Sequence, residues 1–236
     1  MTPHRSRAVR GRPAATAAAL VVLAAAALPA TATAVPAAPR AAATDPAAGA
    51  DVSDPDAWQE IAEQAAGFGP VGVLVSNAYT VDVTPAHTMT LESWERQLAV
   101  NLTGAFLGVK AVLPAMREHG GAVVLTSSVH AHKGAPGHPA DAASKGAPLS
   151  LCGQLSVECG PDVRVNAVLP GPILTAAWDR AGPEDRARSV AETAAGRFGT
   201  SEEAAAIAFL AAPEAAYITG AGLVVDGGWS VVKASA

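Results

Sequence analysis

Val71-Gly72-Val73-Leu74-Val75 is an unbroken apolar run, closed by the polar and small residues Ser76-Asn77-Ala78. A strand with one wet face alternates apolar and polar residues, whereas a continuous run marks a strand covered on both faces. The pattern returns at Gly121-Ala122-Val123-Val124-Leu125-Thr126, at Val163-Arg164-Val165-Asn166-Ala167-Val168 and at Gly222-Leu223-Val224-Val225-Asp226. Helical stretches lie between these runs. Asp54-Pro55-Asp56 opens one, with an Asp at the cap and a Pro in the first turn. It continues through Trp58, Ile61, Ala62 and Ala65, spaced at three and four, and stops at Gly67 and Gly69. A long helix is predicted over about 91–118, with Trp94, Leu98, Leu102, Phe106 and Val109 on one stripe, and another over about 140–158. The stretch 173–200, with Pro183 and several charges, reads as a loop carrying a short helix, and 202–210 reads as helical. Ala50-Asp51-Val52 reads as the end of a further short strand. Alternating strands and helices predict a single α/β domain with a doubly wound, mainly parallel sheet.

Composition narrows the function classes. Half of the 236 residues are hydrophobic and 16% are charged, which excludes a disordered chain. A net charge of −5 gives no basis for nucleic acid or an anionic membrane as partner. Aromatic residues make up only 4%, so the core must be built from Val, Leu, Ile and Ala. Cys152 and Cys159 fall on one predicted helix, about 10 Å apart along its axis and too far to bridge. No Cys/His spacing suggests a metal site.

Residues 1–49 differ from the rest. Arg5, Arg7, Arg10 and Arg12 precede an apolar run over 14–28, followed by Ala32-Thr33-Ala34 and a Pro/Ala-rich stretch. Basic flank, short apolar core and small-residue site together describe a secretory signal. Two other readings stand beside it: 14–28 as the first helix of the domain with 30–35 as its second strand, or an upstream start or frame error in a GC-rich gene. The boundary is therefore set between an atypical segment 1–49 and a domain 50–236.

In a doubly wound sheet, ligands sit beyond the carboxyl ends of the strands. Those ends carry Asp51, Ser76-Asn77-Ala78, Ser127-Ser128 and Pro170-Gly171. Taken singly, each is the polar residue that any loop supplies. Taken together with their spacing, they resemble the short-chain dehydrogenase/reductase family, over about three quarters of the chain from Ala50 to Trp229. Ser76-Asn77-Ala78-Tyr79 resembles the Asn-Asn-Ala-Gly motif, and Val100-Asn101-Leu102-Thr103-Gly104 the segment with the family's catalytic Asn. Thr126-Ser127-Ser128 resembles the strand end with the catalytic Ser, and Ala142-Ala143-Ser144-Lys145-Gly146-Ala147 the stretch around the catalytic Lys. Val165-Asn166-Ala167-Val168-Leu169-Pro170-Gly171-Pro172-Ile173 with Thr175 resembles the nicotinamide-side motif, and Val225-Asp226-Gly227-Gly228 the C-terminal strand.

The resemblance implies a Rossmann-like fold and an NAD(P)-dependent oxidoreductase acting on a hydroxyl or carbonyl substrate. It assigns catalytic roles to Ser128, Lys145 and Asn101. It assigns the cofactor, NAD or NADP, to Asp51, Val52, Asn77, Ala78, Lys145, Pro170, Gly171, Ile173 and Thr175. It implies a dimer or tetramer, paired through the two long helices. Asp141 stands four residues before Lys145, where the family has its catalytic Tyr. A carboxylate held ionised beside a lysine cannot donate the proton that ketone reduction needs near neutral pH, and an ion pair with Lys145 makes it a weak base. Pro148 sits inside the helix of Lys145, at a cost of about 3 kcal/mol or a kink. Tyr79 replaces a small residue, where it is expected to crowd the cofactor cleft. No Gly-x-x-x-Gly-x-Gly is present, the only glycine before Gly49 being Gly11, so a dinucleotide should bind weakly.

The expectation is an impaired or inactive oxidoreductase. The alternatives are a non-catalytic scaffold or oligomerisation partner, and a cofactor-independent lyase or cyclase using Asp141 as base. His130, His132 and His138 come shortly after Ser128 and read as surface residues, with a Ser–His hydrolase as the competing reading. Because the first strand of such a sheet is central, the N-terminal segment is expected to be retained and the protein cytoplasmic; cleavage would instead make it secreted.

Overall fold

The computed structural model describes residues 19–23 and 50–232. Five parallel strands form one sheet in the spatial order β1-β2-β3-β4-β5. They are β1 (Ala19–Leu23), β2 (Val71–Ser76), β3 (Gly121–Thr126), β4 (Val163–Pro170) and β5 (Gly222–Val225). The helices are α1 (Pro55–Ala66), α2 (Leu91–Leu98), α3 (Gly104–His119), α4 (Pro139–Cys159), α5 (Pro183–Ala191) and α6 (Ala206–Ala211). Strand β1 lies inside the apolar run read as either a signal or a helix. Among the described residues it is the edge strand of the sheet, not the central one expected, and it runs beside β2 with Leu20 opposite Val73 and Leu23 opposite Ser76. The helical reading of 14–28 is therefore corrected over 19–23: β-branched Val21 and Val22 extend along the edge of β2 rather than coil.

Side chains alternate through the sheet. Leu74, Val123, Leu125, Val165, Ala167 and Leu169 point into one core, with Trp58 and Ile61 of α1 and Val112 and Met116 of α3. Val75, Val124 and Val168 point into the other, against Leu210 of α6. The two polar residues of β4 fall on this second face and are satisfied there. Arg164 Nη1 donates to the Leu210 carbonyl at 2.8 Å, and Asn166 Nδ2 donates to that of Ile218 at 2.8 Å. Helix α1 begins as predicted, with the Asp54 carboxylate accepting from the Asp56 amide at 2.9 Å. Its Trp58 lies against Gly108 of α3, where a Cβ would come within 2.5 Å of the indole.

Two further expectations are corrected. Ala50-Asp51-Val52 is a turn leading into α1, not a strand: the Asp51 carboxylate accepts from the Ser53 amide (2.9 Å) and hydroxyl (2.7 Å), which curls the chain. The helix over 91–118 is interrupted by a π turn at Ala99–Thr103. That turn holds an extra residue and rotates the downstream helix, so Phe106 leaves the predicted stripe and is 48% exposed, while Ala105, Val109, Val112 and Met116 are buried. The stretch 202–210 is helical as read, a 3₁₀ turn at Glu203–Ala205 leading into α6. Helix α4 spans the predicted stretch and, as expected, carries Pro148 in its interior. The run Leu91–His119 has the length and hydropathy of a membrane span, but its buried face packs on β2 and α1.

Candidate active site

The strand ends β2, β3 and β4 and the N-terminal half of α4 bring the predicted site residues to one edge of the sheet. Asn101 sits in the π turn, where the wide loop of backbone turns its side chain inward. It grips the chain after β2: its Oδ1 accepts from the Thr80 amide at 2.7 Å and its Nδ2 donates to the Thr80 carbonyl at 2.9 Å. The same Nδ2 donates to Ser144 Oγ at 2.9 Å, and Ser144 Oγ donates to the Asp141 carbonyl at 3.0 Å. Both Asn101 and Ser144 are buried. This network fixes the Asn77-Ala78-Tyr79 loop against the first turns of α4.

Ser128 stands just beyond β3, and its Oγ accepts from the His130 amide at 3.2 Å. Its neighbour Ser127 is buried and donates to the Lys145 carbonyl at 2.6 Å, one residue beyond the carbonyl that Pro148 deprives of its helical donor. The Lys145 ammonium donates to the Thr126 carbonyl at 3.2 Å and lies 5.4 Å from the centre of the Tyr79 ring. Tyr79 thus forms the floor under the lysine. Burial pushes the Lys145 amine down to about 8, and the attraction of Asp141 opposes that shift.

Asp141 does not form the expected ion pair with Lys145. Its Oδ2 lies 2.7 Å from Nδ1 of His130, and the carboxylate side chain is 9% exposed. The shorter side chain of Asp cannot trace the path of a phenol, and an imidazole on the loop after β3 meets it instead. The reading of His130 as a surface residue is corrected accordingly: its side chain is 25% exposed and its ring sits 5.2 Å from that of His138 and 6.4 Å from Trp229. His132 lies on the same loop.

The residues assigned to the cofactor are placed less uniformly. Asn77, Ala78, Pro170, Gly171 and Ile173 are half-buried around the β2 and β4 ends. A Cβ on Gly171 would come within 2.5 Å of that of Asp226, so glycine is what lets β4 end against the turn after β5. Ile173 bridges to Gly199, and Thr175 is exposed. Val52 is buried on the α3 side, and Asp51 is exposed with its carboxylate spent on Ser53. Hydrogen bonds from Ser53 hold the Asp51 carboxyl below the usual range. No group of three or more metal-binding side chains occurs among the described residues.

A family model described as enoyl-(acyl carrier protein) reductase matches residues 12–230. A short-chain dehydrogenase/reductase from Serratia marcescens superposes with a TM-score of 0.73 at 34% identity, covering 77% of this chain and 75% of that one. This chain belongs to the short-chain dehydrogenase/reductase family. Aldohexose dehydrogenase from Thermoplasma acidophilum superposes with a TM-score of 0.75 at 31% identity, over 79% and 78% of the two chains. The inactive 2-(S)-hydroxypropyl-CoM dehydrogenase 2 of Xanthobacter autotrophicus is 41% identical over 197 residues, 78% of this chain and 84% of its own length. Members of the family are oxidoreductases that generally bind NAD(P) and act on small molecules.

The nucleotide's two halves fare differently against these residues. Of the residues that the resemblance assigns to the nicotinamide side, Asn77 follows the end of β2, Pro170 ends β4, and Lys145 reaches the Thr126 carbonyl at the end of β3. On the phosphate side the stretch after β1 lies outside the described residues, and only its sequence bears on the question. Strand β1 ends at Leu23 beside Ser76, where a glycine loop would have to begin, yet residues 24–48 contain no glycine. Close backbone approach to a pyrophosphate needs glycine there. The sequence after β1 therefore does not supply the glycines that a pyrophosphate cradle of this kind uses.

Proposed function

We propose that this chain is a short-chain dehydrogenase/reductase for a hydroxyl or carbonyl substrate whose ordinary hydride transfer is impaired. The observation that carries the proposal is the Asp141–His130 contact of 2.7 Å. A carboxylate that accepts a proton-bearing nitrogen cannot also donate a proton to a substrate oxygen, which is the task of the phenol it replaces. Ser128 keeps the role of orienting the substrate oxygen, because its Oγ accepts from the His130 amide and its own hydrogen is left to donate. Lys145 is held by the Thr126 carbonyl over Tyr79, and Asn101 serves as the clamp of the β2 loop. Assembly as a homo-oligomer through the long helices is supported by exposed Phe106 and Val157, 48% and 81% exposed. A cytoplasmic location is proposed on the ground that β1 belongs to the sheet.

Titration with NADH and NADPH, monitored by fluorescence and calorimetry, tests the reading. Dissociation constants no tighter than about 1 mM are expected, because the phosphate cradle is missing. Micromolar binding would overturn the proposal.

A further inference from the structure

We propose that His130, oriented by Asp141, is an acid–base catalyst that moves a proton at the carbon next to a substrate carbonyl, without a nucleotide. The Asp141 carboxylate is buried and its Oδ2 meets Nδ1 of His130 at 2.7 Å. A carboxylate takes a hydrogen bond only from a protonated nitrogen, so Nδ1 carries the hydrogen and Nε2 of the neutral ring carries the basic lone pair. Nε2 has no hydrogen-bond partner among the described residues, and the side chain is 25% exposed, so it can meet a small molecule. The ring is steadied on its flanks by His138 and Trp229, at 5.2 and 6.4 Å. His138 turns its own Nδ1 to the Pro136 carbonyl at 2.9 Å.

Two further groups complete the chemistry. The Ser128 hydroxyl, two residues away, accepts from the His130 amide and retains its hydrogen for a carbonyl oxygen. Asn101 and Ser144 hold the Asp141 backbone through two hydrogen bonds of 2.9 and 3.0 Å, which keeps the carboxylate aimed at the ring. In the forward step Nε2 takes the α-hydrogen as a proton and the C–H electron pair becomes the C=C bond. The carbonyl π pair moves onto oxygen, stabilised by Ser128. Return of the proton from the imidazolium to either carbon of the enediolate of an α-hydroxyketone, with the oxygen protons redistributed, gives exchange or isomerisation. Nothing is oxidised or reduced overall. Acyl transfer by Ser128 is less well supported, since no hydrogen bond joins its Oγ to the His130 ring.

The proposal stands apart from the impaired-reductase reading, because the test contains no nucleotide. The full chain is incubated in D₂O with hydroxyacetone, dihydroxyacetone or cyclohexanone, and loss of the α-proton signals is tracked by NMR. Exchange above buffer is expected with at least one probe. His130→Gln should reduce it by about 100-fold or more, the scale of general acid–base catalysis. Asp141→Asn should reduce it at least tenfold and shift the pH profile, and His132→Gln should leave it unchanged. Circular dichroism and melting temperature establish that each variant is folded. ¹⁵N shifts of the His130 ring, read on the wild type, should report the Nδ1-protonated tautomer whichever probes react. Absence of exchange with all three ketones, exchange unaltered in His130→Gln, or an Nε2-protonated ring would each overturn the proposal.

Discussion

Replacing Lys145 by methionine should stabilise the protein, and the gain should fade as the pH rises. The Lys145 side chain is buried, and among the described residues its ammonium has one hydrogen-bond acceptor, the Thr126 carbonyl, where three donors ask for partners. Its amine titrates near 8 in the folded chain against 10.5 when solvated, mainly because burial disfavours the charge. The unfolded chain thus holds more protons between these values. Stability from this group therefore rises as pH goes from 8 towards 10.5, and is flat below 8. A gap of about 2.5 pH units, at 1.36 kcal/mol each, amounts to roughly 3 kcal/mol of unfavourable charge burial at pH 7. Methionine keeps most of the stem and removes the charge, at the cost of the hydrogen bond to Thr126, about 1 kcal/mol. A net gain of about 1–2 kcal/mol at pH 7 is expected. Urea unfolding of both proteins at pH 7, 8 and 9 isolates the lysine, because other groups such as the buried Cys152 thiol, raised to about 11, are common to both. The advantage of the variant should shrink by roughly 1 kcal/mol between pH 7 and 9. A variant that is less stable at pH 7, or whose advantage does not change with pH, would refute the reasoning.

Equally local features set other outcomes. Gly108→Ala should lose about 1–3 kcal/mol and alter Trp58 fluorescence, because the new methyl enters the indole. Gly153→Ala should gain about 1 kcal/mol in thermal unfolding, because its Cβ meets open space on α4 and the helix loses an entropic cost. Asp141→Tyr should give little ketone reduction with NADH or NADPH, since the glycine cradle is still missing; rates typical of the family would show that the substitution alone had silenced the site. Removing residues 1–34 takes away β1 and leaves the β2 edge from Val71 to Ser76 unpaired, so the truncated chain should lose cooperative unfolding by circular dichroism. In the native host, intact mass should start at or near Met1.

The parallel sheet was legible because burial on both faces leaves unbroken apolar runs, and β2 to β5 fall where those runs are. Local chemistry also marked the start of α1 at Asp54-Pro55. What escaped was set by contacts that spacing does not encode. Asp51 looked like a strand end, but its own side chain folds back onto Ser53. Phe106 fitted the helical period until one wide turn displaced it. For the site, the spacing of Ser128, Asp141 and Lys145 picked out residues that gather at one edge. The partner of Asp141 could not be read from spacing, since either Lys145 or a loop histidine eleven residues away could reach it. An unmatched carboxylate close to a histidine beside a candidate serine was the available signal for His130. Ser144 carried none: nothing in its neighbourhood shows that it relays Asn101 to Asp141.

The π turn at Ala99–Thr103 makes the long helix two rulers joined with a one-notch offset. The upstream ruler is set against α4, and the downstream one is set so that Gly108 meets Trp58. The extra residue is thus absorbed where it sits, and the helix on either side keeps its own face. Deleting a single residue between 99 and 103 would let an ordinary α turn span the gap with α3 left close to its present orientation, because the wide turn covers about the rotation of an α stretch one residue shorter. Gly108 would still seat Trp58 and Phe106 would stay outside. What such a deletion would remove is the inward turn of Asn101 and with it the clamp on Thr80, so the offset serves the strand-end loops and not the core.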